Sequence, residues 1–448
     1  MADVGTDARR VLLMAVEPEV SVVVPYYRGR EHLPALLESI AGQQFPLERL
    51  ECILVMNGAD DGALDLVRSR FPWVRTVDPG ENLGYGGGCN LGAREARGKW
   101  VAFLNTDMRV DSRWLTELLA GAERHPDSVC FGSAILSWNG KRIDFAGSSM
   151  NFLGVGYQPY HGGPAAWLPD SDRQELFVCG GATFVRREVY LDVGGFDEDF
   201  WAYYEDVDLG WRLWVLGYDV WLVPSSVVYH RHHGSFSRVG QERTRLLYER
   251  NALLSLIKNY GQDNLDRILP VALMLAAKRA FLATGVDPGR FRIGRTPPHA
   301  VAPSAGVFGL RYYLDEASRT LRNEGLGELW KRVRAELGRR LSFGGNAPYG
   351  APRKPAEASA RGLVVPEVGV AHLLALADVA DLYPHMLEKR RWIQERRRRS
   401  DAEIAPLFRL CFALNFYDSR YHACMVDLVR ATGLEQRLGE RIQLGRER

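Results

Sequence analysis

The acidic segment Trp201–Arg212 is the part of the chain best suited to chemistry. It places the carboxylates of Glu205, Asp206 and Asp208 within four positions, inside an aromatic sequence that otherwise predicts protein core. Like charges this close are unfavourable to bury unless they have partners or a catalytic task. Asp208 fits an ordinary acidic first turn, which the helix dipole stabilises. Glu205 and Asp206 precede it and can face a cleft, where a carboxylate can take a proton from a hydroxyl group.

A further acidic position follows an apolar strand far upstream. The segment Phe103–Asp107 ends this strand, and Asp107 offers the hard oxygen ligand by which Mn2+ or Mg2+ binds a diphosphate. Asn105 is a neutral substitute that can contact ribose or a metal-bound water. A triplet of this kind, when it stands alone, is more often a structural turn at the end of a strand.

Two other patterns suit an anionic ligand. The glycine-rich turn Glu81–Asn90 leads into a predicted helix; glycine lets the backbone approach a ligand, and a helix N-terminus favours anions. It lacks the Lys-Ser/Thr ending of a Walker loop. A histidine cluster after a later strand can complete a metal shell or contact phosphate, and its members are His230, His232 and His233. A flexible turn and a surface histidine cluster are the simpler interpretations of these patterns alone.

The elements predicted around these residues can bring them together. Residues 20–110 alternate between strand and helix patterns, which is typical of a parallel sheet covered on both faces. Ligands on such sheets bind at the carboxyl ends of the strands. Four residues follow predicted strands and are expected in one cleft: Pro25, Asn57, Asn82 and Asp107. Further along, the pattern predicts a helix over Gly92–Arg97, a strand over Phe177–Arg186 and a helix over Glu205–Leu216.

Composition is that of an ordinary globular protein. The chain has 448 residues, of which 46% are hydrophobic and 25% charged, and its net charge of +2 implies no bulk polyelectrolyte partner. The six cysteines contain no Cys-x-x-Cys pair, which predicts reduced thiols in a cytosolic protein. The N-terminus does not have the pattern of a signal peptide, and no apolar run approaches the roughly 20 residues of a membrane span.

Taken in order, these segments resemble the inverting family 2 glycosyltransferases, especially the bacterial rhamnosyltransferase-like branch. The resemblance covers about residues 20–260 and is specific as an ordered set. The matching stretches are Val22–Tyr27, Asn82–Asn90, Phe103–Asp107, Cys179–Arg186, Gly194–Phe200, Glu205–Arg212 and Tyr248–Asn251.

The resemblance implies an α/β protein with a GT-A fold, whose central sheet is mostly parallel and Rossmann-like and is followed by a mainly helical C-terminal region. An N-terminal extension covers residues 1–19. A nucleotide-sugar-binding half is then expected over 20–110 and an acceptor-binding half over 111–260. The basic helical region 261–448 includes predicted linkers near 285–303 and 346–360. A nucleotide-sugar donor and a divalent metal, Mn2+ or Mg2+, are implied as well.

The resemblance also assigns site residues by position. Asp206 is the expected catalytic base, with Glu205 as the alternative, and Asp107 and His230 are the expected metal ligands. The donor site is assigned to Pro25, Tyr26, Asn57, Asn82, Gly84, Asn90, Asn105 and Thr106. The acceptor site is assigned to Gly180, Gly181 and Trp201. One departure concerns the nucleobase: the family usually has an aspartate where this chain has Met56, before Asn57.

The basic segment Glu388–Arg399 carries seven basic and two acidic residues. A solvated helix face explains it simply. The functional alternative is contact with an anionic membrane surface, each basic residue near it contributing about 1 kcal/mol. No recognition module accompanies the charge, so no nucleic-acid partner is expected. The predicted location is the cytoplasm, with peripheral contact at the inner face of the plasma membrane.

The sequence therefore predicts an inverting glycosyltransferase that moves a sugar from a nucleotide-sugar, such as dTDP-L-rhamnose or a UDP-sugar, to a hydroxyl of a glycan or glycolipid acceptor. Two alternatives stay open. A sugar-1-phosphate nucleotidyltransferase would need a basic Gly-rich signature near the first strand, and Tyr26–Arg30 matches it poorly. A non-catalytic nucleotide-sugar or glycan-binding protein would not need the carboxylates of Asp107 and Asp206.

Overall fold

The computed structural model of the chain describes residues 17–58, 61–231, 240–288, 291, 365–416 and 418–438. His232, His233, the predicted linker at 346–360, and most of the predicted extension and first linker lie outside the described residues. The described residues form two compact units. One comprises those up to Leu265 together with Val379–Cys411, and the other those of Asp266–Asp378 and Phe412–Arg448.

A mixed, mostly parallel sheet forms the centre of the first unit. Its main path runs β10-β12-β6-β11-β4-β1-β2-β3. Strands β3, β2, β1 and β4 are parallel, β11 runs against both β4 and β6, and β12 is parallel to β6. The strands are β1 Val20–Tyr26, β2 Leu50–Met56, β3 Arg75–Val77, β4 Trp100–Phe103, β5 Met108–Val110, β6 Cys130–Ser137, β7 Ile143–Phe145, β8 Ser149–Met150, β9 Gly156–Tyr157, β10 Arg173–Gln174, β11 Thr183–Arg186 and β12 Val220–His230.

Helices cover this sheet, which explains why β1 and β2 are mostly apolar rather than alternating between apolar and polar residues. Val22, Val23 and Val24 of β1 are fully buried, as are Ile53 and Leu54 of β2. The helices are α1 Leu33–Ala41, α2 Ala63–Arg70, α3 Gly84–Glu95, α4 Trp114–Arg124, α5 Arg187–Asp192, α6 Glu205–Val215, α7 Gln241–Asn259, α8 Gln262–Thr284, α9 Glu367–Glu395, α10 Asp401–Ile404, α11 Ser419–Ala431 and α12 Leu434–Arg437.

The predicted α/β class and the helical C-terminal region are confirmed, whereas two element boundaries were wrong. Helix α3 begins at Gly84 instead of Gly92, so the glycine-rich turn is itself the first part of the helix. The strand predicted over Phe177–Arg186 shortens to β11, because Gly180–Ala182 form a 3-10 turn. Both corrections bring glycine backbone to the candidate site.

The second unit is helical. Helix α11 begins at the N-cap residue Asp418, whose carboxylate accepts from the backbone N–H groups of Arg420 and Tyr421. The ring of Tyr421 is fully buried, and its hydroxyl contacts Asn415 at 2.8 Å and the Arg279 guanidinium at 2.6 Å. None of the helices in the described ranges is long and apolar enough to cross a membrane. All six cysteines are free thiols.

The basic segment at the end of α9 is largely engaged within the first unit. Arg390 is buried and donates to Ile257 O at 2.9 Å, and Arg397 donates to Asn259 O, both at the C-terminal end of α7. Arg399 bonds Tyr218 O at 3.0 Å. Cationic side chains stabilise a helix when they bond the free carbonyls at its C-terminal end. Arg390 and Arg397 have this role at the end of α7.

Candidate active site

The Asp206 carboxylate is fixed by backbone donors at the start of α6. Its Oδ2 accepts from Gly180 N at 2.9 Å, and its Oδ1 accepts from Val207 N at 2.8 Å. Burial raises the pKa of Asp206, while these two N–H groups act in the opposite direction because they favour the charged form. The carboxylate is therefore held in one orientation, with lone pairs left over for a proton.

The neighbouring Glu205 has a different environment. Its side chain is buried, and Oε2 has no hydrogen-bond partner in the described part of the chain. Burial, together with the charge of Asp206, raises the pKa of Glu205 to about 8. Two adjacent carboxyls with unlike environments separate into one neutral and one charged group, as acid–base sites often do. Burial and the neighbouring charge favour the neutral form of Glu205, whereas the two backbone N–H groups favour the charged form of Asp206.

Asp107 meets His230 because β5 pairs antiparallel with the end of β12. In this register His230 lies opposite Met108, and Arg231 N donates to Asp107 O at 3.0 Å. The His230 Nε2 is 3.3 Å from Asp107 Oδ2. On the other side of the ring, His230 Nδ1 is 2.6 Å from Asp144 Oδ2. Asp144 was not found from the sequence, because it lies in β7 within a Gly-rich region that carries no catalytic pattern.

Two carboxylates control the charge of this imidazole. Burial alone would lower the pKa of His230, but hydrogen bonds to Asp107 and Asp144 outweigh it and raise the pKa to about 9. Burial likewise would raise the pKa of Asp107, yet the bond to His230 holds it below the usual value.

The donor set fits a divalent ion that is completed by ligand oxygens. A carboxylate oxygen and an imidazole nitrogen suit Mn2+, and a carboxylate on the far nitrogen, here from Asp144, is the usual support for a ligating histidine. No group of three or more His, Cys, Asp or Glu side chains within the described ranges is arranged to hold a metal. Asp107 and His230 could hold such an ion only together with oxygens from a ligand or water.

The turn at Gly180–Gly181 joins the two acidic positions. A Cβ on Gly181 would lie 2.7 Å from Asn105 Nδ2, and a Cβ on Gly180 would lie 3.3 Å from Asp206 Cβ. Asn105 N also donates to Gly181 O at 3.3 Å. The segment ending in Asp107 and the carboxylate of Asp206 thus flank the same glycine turn, which sequence spacing alone does not reveal.

Hydrogen bonds from two asparagine side chains fix the glycine-rich turn where α3 begins. Asn82 Oδ1 accepts from Gly84 N at 2.9 Å. Asn57 donates to Gly84 O at 2.7 Å and accepts from Leu83 N at 2.8 Å. Gly84 has φ +72°, and a Cβ there would be 2.5 Å from Trp201 O, so both conformation and space require glycine. The side-chain amide of Asn57 is thus engaged in hydrogen bonds to this turn.

Asn90 is used by the protein in a similar way. Its Nδ2 donates to Phe196 O at 2.8 Å and Glu198 Oε1 at 2.9 Å. Its Oδ1 accepts from the Tyr190 hydroxyl at 2.6 Å and Phe196 N at 3.0 Å. All four bonding positions of the amide are filled, so Asn90 acts by holding the Tyr190–Glu198 segment against α3.

Of the other predicted residues, Pro25 and Tyr26 end β1, Thr106 follows β4, and Trp201 precedes α6. The Tyr26 hydroxyl donates to Asp61 Oδ1 at 2.5 Å. The Cβ of Pro25 lies 3.2 Å from the position that a Cβ on Gly88 would occupy. Thr106 is buried beside Asp107. Trp201 is 39% exposed and adjoins Gly84.

A small crevice borders Asp107 and includes residues that sequence reasoning missed. It is lined by His32, Trp138 and Arg231, and the Arg231 guanidinium lies 4.3 Å from the centre of the Trp138 ring. The Arg231 guanidinium is a cation in this crevice, which the carboxylates of Glu31 and Asp107 also line. A cavity of about 940 Å3 lies elsewhere, against Asn90, and neither carboxylate of the acidic pair borders it.

Comparison with known proteins agrees with this arrangement. The family model described as "Glycosyl transferase family 2" matches residues 21–194, and "Glycosyl transferase family group 2" matches 165–285. The N-acetylglucosaminyl-diphospho-decaprenol L-rhamnosyltransferase of Mycobacterium tuberculosis is 30% identical over 238 residues, which cover 48% of this chain and 76% of that protein. The O-antigen biosynthesis protein RfbC of Myxococcus xanthus is 30% identical over 231 residues, or 49% of this chain and 18% of that protein.

Among solved structures, GalNAc-T7 with UDP, GalNAc and Mn2+ is similar at a TM-score of 0.47 and 16% identity, covering 58% of this chain and 52% of that one. A similarity of this size carries no information on ligands. The matches to the family models and the long match to the mycobacterial enzyme are decisive. The chain belongs to glycosyl transferase family 2 and is a glycosyltransferase.

Proposed function

We propose that the chain catalyses inverting transfer of a sugar from a nucleotide-sugar donor to an acceptor hydroxyl. The acceptor oxygen attacks the anomeric carbon as the bond to the diphosphate breaks, and Asp206 takes the hydroxyl proton. The observation that carries this proposal is the fixed Asp206 carboxylate, bonded to Gly180 N on one side of a turn whose other side contacts Asn105. Base and diphosphate sites are thereby adjacent.

The donor side is proposed to include Asp107 and His230 as ligands of Mn2+ or Mg2+. Such an ion, when bound, neutralises charge that develops on the leaving diphosphate. Arg231 and the N-terminus of α3 add positive potential to the same region. Pro25, Tyr26, Asn82, Asn105 and Thr106 border the donor. Asn57, Gly84 and Asn90 shape its pocket through the backbone.

The substrate classes follow from the relatives. The similar mycobacterial protein is named a rhamnosyltransferase that acts on a decaprenol-linked sugar, and RfbC is named for O-antigen biosynthesis. We therefore propose a donor such as dTDP-L-rhamnose or a UDP-sugar, and a lipid-linked glycan acceptor in bacterial cell-envelope assembly. Gly180, Gly181 and Trp201 are proposed to border the acceptor.

A lipid-linked acceptor requires access to a membrane surface, so we propose a cytoplasmic enzyme that contacts the inner face peripherally. Arg391, Arg396 and Arg398 are exposed at the end of α9 and supply positive charge. Flotation with anionic vesicles tests this contact. Binding that is lost when these three arginines are replaced by alanine supports it, and absence of binding by the unaltered chain ends it.

The central experiment is a thermal-shift screen of nucleotide sugars with and without Mn2+, followed by product analysis with lipid-linked acceptors. We expect one donor to stabilise the chain and to be consumed with release of its nucleoside diphosphate. A nucleotidyltransferase would instead form a nucleotide sugar from a nucleoside triphosphate and a sugar phosphate. A binding protein would be stabilised without any turnover, which would refute the proposal.

A further inference from the structure

The segment Phe200–Tyr204, which leads into α6, has unusual backbone geometry. Of the four non-glycine residues with positive φ in the described part of the chain, three lie here, namely Trp201, Tyr203 and Tyr204. Trp201 has φ 61° and ψ −54°, and Ala202 N donates to Phe200 O at 2.7 Å. This is the rare, strained form of the γ-turn. Such strain persists only where the surroundings impose it.

Asn251 on α7 supplies much of that constraint. Its side chain is fully buried, and Nδ2 lies within bonding distance of three carbonyls of the segment: Phe200 O at 3.1 Å, Ala202 O at 2.9 Å and Tyr203 O at 2.7 Å. One amide group thus lies within hydrogen-bonding distance of carbonyls on both sides of the γ-turn. An oxygen in the same place would face those carbonyls with no hydrogen to donate.

Arg250 orients this amide and extends its reach. Its Nε donates to Asn251 Oδ1 at 2.9 Å, which turns Nδ2 toward the segment. Its Nη2 donates to Asp199 O at 2.9 Å and Phe200 O at 3.1 Å. Tyr248, one turn earlier, packs edge-on against Tyr203, with ring centres 4.7 Å apart. We call Arg250 and Asn251 the α7 clamp.

The clamped segment carries Trp201 to the donor turn. Trp201 O accepts from Tyr85 N at 2.7 Å, and the edge of the indole lies 2.7 Å from where a Gly84 Cβ would be. The ring nevertheless stays 39% exposed. An exposed indole offers a rigid apolar face with little rotamer freedom, which suits the apolar face of a sugar ring. Asp206 lies five positions after Trp201 in the chain.

We propose that Arg250 and Asn251 are positioning residues that hold Phe200–Tyr204 in its strained form, so that Trp201 presents a stacking platform to the acceptor sugar. The role of Trp201 rests on the proposed function; the constraint on the segment does not. Neither clamp residue touches the reacting atoms. Their effect on transfer passes through Trp201.

Hydrogen exchange of the full chain tests the constraint. In Asn251→Ala, peptides that cover residues 199–206 should exchange at least about tenfold faster, because local opening no longer breaks those bonds. Asn259→Ala is the matched control: it is the same residue type, fully buried on α7, and donates to Asp208 Oδ1 at 2.9 Å instead. It should lower Tm without changing exchange at 199–206. Unchanged exchange in Asn251→Ala overturns the proposal.

If Asn251→Ala does not fold, Arg250→Lys replaces it, since lysine keeps the charge but cannot reach Asp199 O, Phe200 O and Asn251 Oδ1 together. The same acceleration, restricted to 199–206, is expected. Exchange equal to that of the unaltered chain would again refute the clamp.

A double-mutant cycle tests the route through Trp201. With the donor from the screen, Trp201→Ala and Asn251→Ala should each lower kcat/KM for the acceptor on the order of 10²-fold, with unchanged Kd for the donor. The double variant should be no slower than Trp201→Ala, whereas additive losses would refute the coupling. If the unaltered chain transfers no sugar, the proposed function fails, and the exchange experiment still decides whether the clamp exists.

Discussion

Asp206 and Gly180 are joined by a 2.9 Å hydrogen bond that spans 26 positions of the chain. The same Gly180 accepts from the Tyr85 hydroxyl at 3.0 Å, and Tyr85 belongs to the first turn of α3. The proposed base and the first turn of α3 are thereby connected through one residue, Gly180. The orientation of the base consequently depends on main-chain atoms, which substitutions of nearby side chains disturb little.

Replacing Asp206 with asparagine removes the proton acceptor while an oxygen still faces Gly180 N. Transfer should fall by about 10²–10⁴-fold, the usual contribution of a general base. Isothermal titration should find donor affinity unchanged. Asp192→Asn, an exposed aspartate on α5, controls for the substitution itself. Full turnover in Asp206→Asn would exclude this residue from the mechanism.

The pH dependence of transfer follows from the same carboxyl. Its pKa is raised from 3.8 by burial, and only the ionised form can take a proton. The kcat/KM should therefore rise with pH through a value above that of an ordinary aspartate. The acidic pair titrates jointly, so the midpoint belongs to both groups. A rate–pH profile without this acidic limb would contradict the assignment.

Glu205→Gln should change the pH dependence of stability. The pKa of Glu205 is raised from 4.5 to about 8, so its stabilising contribution is complete below 4.5 and is lost as pH rises through 8. Glutamine does not titrate. Urea unfolding should therefore find the variant gaining free energy of unfolding relative to the unaltered chain as pH increases over this window. If the difference in free energy of unfolding between the variant and the unaltered chain does not change with pH, Glu205 is not buried as a neutral acid.

Asp144→Asn should weaken metal binding by removing the charge behind His230. Support of this kind typically changes affinity by about 10–100-fold. Titration with Mn2+ alone measures the effect without any need for turnover. Asp172→Asn is the control, since Asp172 pairs with His125 at 3.1 Å, outside the strands and away from His230. Equal Mn2+ affinity in the Asp144 and Asp172 variants would argue against the proposed ligands.

Gly84→Ala and Gly80→Ala separate backbone strain from contact with Trp201. Both glycines have positive φ, +72° and +78°, but a Cβ on Gly80 meets no atom within 4 Å. Each substitution should lower stability by about 1–2 kcal/mol for the left-handed conformation. Only Gly84→Ala should also lower kcat/KM for the acceptor, because its Cβ displaces Trp201. Similar kinetics in the two variants would show that the contact is unimportant.

The parallel strands could be predicted from the sequence, because mostly apolar runs alternate with helical patterns over residues 20–110. Asp107 and His230 could be proposed as site residues because they lie at strand ends, and Asp206 because it belongs to an acidic run at a predicted helix start. Asp144 was not identifiable, because its importance comes only from the pairing of β7 with β6. The clamp residues appeared in a matching motif, Tyr248–Asn251, but nothing local indicated what they bind.

The basic segment of α9 illustrates a different limit. Its charge suggested a solvated face or a membrane contact, yet Arg390 and Arg397 reach the carbonyls that end α7. Those carbonyls belong to a helix more than a hundred positions earlier, as the Arg390–Ile257 separation of 133 residues illustrates. Sequence patterns describe local periodicity well, and partners this distant are set by tertiary packing.

The pairing of β5 with β12 has a consequence for insertions and deletions. His230 reaches Asp107 only because Tyr229 lies opposite Arg109 in that ladder. Alternate residues of a strand point to opposite faces, so adding one residue between Val228 and His230 would turn the imidazole away from Asp107. Removing one residue nearby in the same strand would restore the original orientation of the imidazole. The contact between His230 and Asp107 thus depends on the number of residues along the strand as much as on side-chain identity.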